Sequence, residues 1–346
     1  MWKTMKHILF SILWENILHI VFSIPWKTIA RRLLILIPQL LVLSIIIFLL
    51  AQLMPGDALR GLITPAMTAD QVAHLRYIHG MDNPWYIQYV QWLRNIVVNR
   101  DFGNSLSHLR PVTDIIGETL ANTMRLSFLT TIFTYMLAIP LGILAGRKSD
   151  TFIDKTIMVY TFVALSLPTV VLAIVNLMIF GFTLNWFPTS GSVDVRAVAA
   201  GGWTYFTSRL HHLILPAATL AVLSTIGIIY FLRSEIIDHA SSDFVLTARS
   251  KGVPEKKIYT RHILRNSFLP IASTIGFVVS GLFAGSIFIE TTFSYPGMGQ
   301  LFINSIIGRD FPVANALIMF YAVLTVLAIL ISDIIVTFID PRIRIK

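Results

Sequence analysis

The chain has 346 residues, of which 55% are hydrophobic and 13% charged, no cysteine, and a formal net charge of +9. Its mean hydropathy is +0.73. Soluble domains carry about 25% charged residues, so this composition excludes a soluble enzyme, a disordered tail and a fibrous repeat. The absence of cysteine excludes a disulfide framework, a thiolate metal site and a Cys nucleophile.

Residues 7–24 place His7, Ser11, Glu15, His19 and Ser23 four apart on an apolar background. That stripe predicts an amphipathic helix over 7–24 in the cytoplasmic interface, within an N-terminal interfacial segment 1–30. A seventh span is the competing reading, and it conflicts with Lys3 and Lys6. Uncharged windows then follow at 33–53, 126–146, 156–181, 210–232, 266–289 and 311–332. Each exceeds the roughly 20 residues that cross a hydrocarbon core. The expected fold is all-α and integral to the membrane, with six transmembrane helices.

Orientation follows from Lys and Arg. With the N-terminus cytoplasmic, 18 of the 27 basic residues fall in inside segments and 8 in outside ones. This bias puts both termini inside and accounts for the basic charge without nucleic acid. Residues 54–118 become an extracytoplasmic insert, and 182–209 a second outside segment. Within the insert, Asn83 is expected to cap and Pro84 to start a helix. Trp85, Tyr89 and Trp92 would pack the insert onto itself or the membrane surface; a ligand platform is the alternative.

Arg125, Glu290 and Asp333 fall near span ends, where they are expected to reach water or headgroups. No span carries the mid-membrane carboxylate that an ion-coupled carrier needs, so the driving force is expected to enter elsewhere. Pro140 and Pro168 are expected to kink their helices. Ala272, Gly276, Ser280 and Ala284 form a small-residue stripe that lets helices approach closely. The stripe and Pro168 are candidates for the translocation path or a subunit interface.

The cytoplasmic loop 233–265 is the most informative stretch. Asp243 is expected to open a short helix. Gly252 would end it in a left-handed conformation, and Pro254 would block its continuation. A capped helix on that face, with a basic helix behind it, reads as a docking element.

Several motifs occur in order: Leu53-Met-Pro-Gly-Asp57, Asp101-Phe-Gly-Asn-Ser105, Ala121-Asn-Thr-Met-Arg-Leu126, Ile139-Pro-Leu-Gly142, Leu165-Ser-Leu-Pro168 and Leu215-Pro216. The loop 243–270 follows, then Glu290-Thr-Thr-Phe-Ser-Tyr-Pro-Gly-Met-Gly299, Arg309-Asp-Phe-Pro312 and Asp340-Pro-Arg-Ile-Arg344. Over residues 30–346 the series resembles permease subunits of ATP-binding-cassette importers in the oligopeptide/dipeptide/nickel group. The resemblance implies a type I importer permease domain over 31–346, in the bacterial cytoplasmic membrane. It makes 243–252 the coupling helix, with Asp243, Ala248, Gly252, Arg261 and Arg265 as ATPase-coupling residues. Leu246-Thr247-Ala248 stands where the wider superfamily has Glu-Ala-Ala, and Gly252 matches its glycine. The implied partners are a second homologous permease, two ATPase subunits, an extracytoplasmic peptide-binding protein and membrane lipid.

The chain carries no phosphate-loop motif, zinc-protease helix or nucleophile elbow. It is therefore expected to hold no catalytic site, cofactor or metal of its own, with ATP and Mg in the partner subunits. The expected function is peptide import by alternating access. Dipeptides, nickel or another solute are alternative cargoes. An autonomous channel or ion-coupled carrier is the reading from another class. An intramembrane hydrolase using Ser166, His211 or His212 lacks any recognisable catalytic spacing.

Overall fold

The computed structural model describes residues 26–53, 67–78, 82–268 and 287–339, with isolated positions 63 and 80. Its described elements are helical, apart from a lone bridge between Asn104 and Pro111. Apolar runs leave their backbone no water to bond, so internal i→i−4 bonding is the stable solution. The expected interfacial helix at 7–24 lies outside the described residues.

Helix α1 (Trp26–Leu53) leads into two short helices, α2 (Ala69–Ile78) and α3 (Trp85–Arg94). Helix α4 (Val112–Arg147) and α5 (Phe152–Ser166) follow. Next come α6 (Thr169–Asn176), which continues as a π-helical stretch over Leu177–Thr183, and the short α7 (Val195–Ala200). The 39-residue α8 (Gly202–Ala240) precedes α9 (Asp243–Ser250). A helical stretch, α10, runs through Glu255–Lys257, π-helical Ile258–Ile263 and Leu264–Ser267. Helices α11 (Ile287–Thr292), α12 (Met298–Ile307) and α13 (Phe311–Ile339) complete the described fold.

Helices α4 and α8 are long and apolar enough to cross a membrane. The pair α5 and α6 makes a third crossing if it is one span, bent by 102° at its break. Helices α1 and α13 are 28 and 29 residues long. Most of the expected span 266–289, including Gly276, Ser280 and Ala284, lies outside the described residues. Pro168 sits at the α5–α6 break and precedes the first residue of α6. Pro140, expected to act similarly, stays within the continuous α4.

Helices α4 and α8 form the spine. Their closest approach is set by glycine: a Cβ on Gly146 would lie 2.8 Å from Ile236 Cβ, and one on Gly142 3.1 Å from Leu232 Cβ. Small residues at this four-residue spacing bring helix backbones together. Around the spine, Ala138, Ala145, Ile157 and Ile229 join α4, α5 and α8. Leu126, Ala173, Leu213, Ile289 and Tyr295 join α4, α6, α8 and α11. Val112, Met298, Leu301, Val313 and Leu317 bind α4 to α12 and α13.

The insert is anchored differently from the expectation. Helix α3 opens at Trp85 behind Pro84, and no side chain caps it. Tyr89 and Trp92 face Phe48 of α1, with ring centroids 5.5 and 5.8 Å away, and the Tyr89 hydroxyl lies 2.7 Å from Ser44 Oγ. The aromatics pack on the first long helix, because its Ser44–Phe48 face gives them both an apolar wall and a polar partner.

Candidate functional site

Helix α9 is built by its ends. Ser242 precedes it in an extended conformation, and Asp243 places a negative charge in the first turn, where the helix dipole favours it. At the other end Gly252 has φ +70°. The Gly252 N–H donates to Arg249 O at 2.9 Å, and the Val253 N–H to Ala248 O at 3.1 Å. These two bonds with a left-handed glycine are the Schellman arrangement. Val253 also packs into the apolar cluster that buries Ala248. Pro254 then starts the next turn, and Arg249 pairs with Glu255 across it at 2.7 Å. That contact raises the affinity of the Arg249 guanidinium for its proton; both side chains are exposed, so it steers the turn rather than holding the fold.

The helix has two faces. Val245 and Ala248 are buried against Leu232, Ile236, Ile258 and Ile263. Burying a side chain such as Val245 contributes about 2 kcal/mol. Phe244 and Leu246 are exposed, at 37% and 53%, beside exposed Asp243, Thr247 and Arg249. Ala248 therefore belongs to the seat of α9, not to its outward surface. Arg261 and Arg265 are exposed on α10, and Gly252 is exposed at the turn.

The seat is tied to the long helices by polar contacts. Arg233 of α8 donates two hydrogen bonds, each 2.7 Å, to the carboxylate of Asp154 on α5. Asp154 also accepts the Asp150 N–H at 2.8 Å. Tyr259 of α10 donates to Ile143 O of α4 at 3.4 Å, and the Arg147 guanidinium lies 5.2 Å from its ring centre. Burial pushes the Tyr259 hydroxyl pKa above its ordinary value. These contacts link α9, through α8 and α10, to α4 and α5.

The opposite end of the spine holds a feature that the sequence reading misplaced. Glu290, expected to reach water or headgroups, is 0% exposed. Its carboxyl group accepts hydrogen bonds from Thr123 Oγ1 at 2.9 Å, Gly299 N at 2.6 Å and Gln300 N at 3.1 Å. It fastens α4 to the N-terminus of α12, which supplies free N–H groups. A Cβ on Gly297 would fall 2.4 Å from the Glu290 carboxyl carbon. The spacing from Glu290 to Gly299 is therefore a geometric unit.

A second buried acid acts similarly. Asp310 accepts a short hydrogen bond from Ser105 Oγ and takes the N–H groups of Leu106 and Ser107, each at 3.1 Å. It pins the loop at 101–110 to the start of α13. His211 and His212 contact the backbone oxygens of Trp186 and Ser208. Among the described residues no cluster of three or more His, Cys, Asp or Glu could hold a metal.

Comparison with known proteins adds the family. Residues 138–345 match the model described as binding-protein-dependent transport system inner membrane component. Residues 26–137 match the N-terminal model of the same membrane component. The oligopeptide transport system permease protein AppB of Bacillus subtilis (strain 168) is 35% identical over 91% of this chain and 98% of its own length. The dipeptide permease DppB of Lactococcus lactis subsp. cremoris (strain MG1363) is 33% identical over 91% and 98%. The glutathione permease GsiC of Salmonella choleraesuis (strain SC-B67) is 32% identical over 92% and 99%. A chain of the inward-facing MetNI methionine ABC transporter shares the fold, with a TM-score of 0.50 and 14% identity over 66% of this chain and 97% of that one. The chain accordingly belongs to the binding-protein-dependent transport system inner membrane components, the permease subunits of ATP-binding-cassette importers.

Proposed function

We propose that this chain is one of two permease halves of an ATP-driven importer that carries oligopeptides across the cytoplasmic membrane by alternating access. It crosses six times with both termini inside, as its Lys and Arg distribution favours. Partner ATPases seat the exposed Phe244–Leu246 face of α9, and an external binding protein delivers the peptide. Closure of the ATPases pushes α9, and the block of α4, α5, α8 and α10 turns with it. ATP and Mg act in the partners.

The observation that carries this reading is α9: an eight-residue helix, closed at its C-terminus by Gly252 and seated on α8 and α10, with Phe244 and Leu246 turned outward. Oligopeptides are favoured over dipeptides or glutathione because AppB, named for oligopeptides, heads the relatives cited above. The test is Leu246→Asp in the reconstituted importer. Peptide uptake should fall at least tenfold, and substrate should no longer stimulate ATP hydrolysis, while insertion is unchanged. Undiminished, substrate-stimulated uptake would refute the coupling role.

A further inference from the structure

Where α4 and α8 meet near Arg209, two guanidinium groups converge on one neutral oxygen. Arg125 Nη1 donates to Asn122 Oδ1 at 3.0 Å, and Arg209 Nη2 donates to the same atom at 2.7 Å. Arg209 also donates to the Tyr205 hydroxyl, and its guanidinium lies 5.2 Å from the centre of that ring. Asn122 cannot turn away: its amide nitrogen donates to Pro296 O at 2.9 Å, and its backbone oxygen accepts the Tyr295 hydroxyl at 3.0 Å.

This arrangement is short of negative charge. Among the described residues no carboxylate lies within ion-pairing distance of Arg125 or Arg209. Arg209 Nε is buried and has no hydrogen-bond acceptor. Two like charges held against one amide oxygen repel each other, and a neutral oxygen compensates only weakly. Glu290, the nearby buried acid, is occupied by Thr123 and the start of α12.

The geometry points to a carboxylate-binding subsite formed by Arg125 and Arg209, which takes the C-terminal carboxylate of the transported peptide. It rests on the proposed function for its cargo and for placing Arg209 at the extracytoplasmic mouth. Paired planar forks of N–H donors match a carboxylate. Every unmodified peptide carries one such group whatever its sequence, so the site suits a broad cargo. Each guanidinium comes from a different spine helix, so the bound carboxylate bridges α4 and α8. A lipid phosphate is disfavoured because Arg209 is half-buried behind Tyr205 and Asn122, not splayed from the surface.

The test uses the whole importer in nanodiscs without its binding protein. Binding of acetyl-Ala-Ala-Ala and of its C-terminal amide is measured by calorimetric titration. The acid should bind at least about tenfold tighter than the amide in the wild type. With Arg125→Gln and Arg209→Gln together, the two should bind equally. Arg209→Lys, which keeps the charge but loses the fork, should retain part of the preference. Equal binding of acid and amide by the wild type, or a preference that survives the double substitution, overturns the subsite. An acid preference that is absent in anionic nanodiscs and appears only in neutral lipid assigns the pair to anionic headgroups and also overturns the subsite. Peptide uptake by the complete importer is measured alongside. Failure of uptake with the acid preference intact refutes the peptide-import reading and leaves the carboxylate site standing.

Discussion

Glu290→Ala offers the sharpest test of how the spine is held. The substitution removes the acceptor of three hydrogen bonds and leaves Thr123 Oγ1, Gly299 N and Gln300 N facing a cavity. A buried donor left without a partner costs about 1–3 kcal/mol. Thr123 has a second task, accepting the Met298 N–H at 2.8 Å, so the losses are coupled rather than additive. The net cost is roughly 2–4 kcal/mol, below the sum for three separate unpartnered donors. Thermal unfolding in detergent, followed by loss of monodispersity, should move down by several degrees. Glu290→Gln keeps an acceptor oxygen and should lose distinctly less. Gly297→Ala drives a methyl group into the same carboxyl group and should resemble Glu290→Ala. If Glu290→Ala unfolds within a degree of the wild type, the carboxyl group does not hold α4 to α12.

Gly146→Leu should force α8 from α4, because even a Cβ would meet Ile236 at 2.8 Å; a loss of about 1–3 kcal/mol or more is expected, read as lowered thermal stability and membrane yield. Asp154→Asn weakens the paired contact with Arg233, which is 25% exposed at its side chain; ATP-dependent uptake should fall severalfold, while nucleotide binding by the ATPases stays unchanged. Asp310→Ala releases Ser105, Leu106 and Ser107 together, and protease added outside intact cells should then cut near 101–110. Gly252→Val places a β-branched residue at φ +70°, a strain of about 1–3 kcal/mol, and should raise ATP hydrolysis relative to peptide uptake.

Local rules reached some elements and not others. Helix α9 was legible because its termination is short-range: Gly252 and Pro254 act within one turn of the helix they end. The long helices were legible because hydrocarbon demands length and apolarity. Glu290 was misplaced because its partners come from α4 and α12, and position near a span end does not reveal burial. The same holds for Asp310, whose partner Ser105 lies far away in sequence. Ala248 matched a pattern by position, but only packing shows that it points inward. The aromatics of α3 were legible as a packing face, though not as packing against α1. Arg125 and Arg209 carry no local signal of convergence; Asn122 brings them together only after α4 and α8 are side by side.

The proposed transport mechanism depends on force entering through α9 from the cytosol. Because the chain has no cysteine, Leu246→Cys gives a single labelling position. In sealed vesicles of known orientation, an impermeant thiol reagent should reach the introduced thiol only from the cytosolic face, and assembled ATPase subunits should block it. Labelling from the exterior, or labelling that the ATPases leave untouched, would contradict that route.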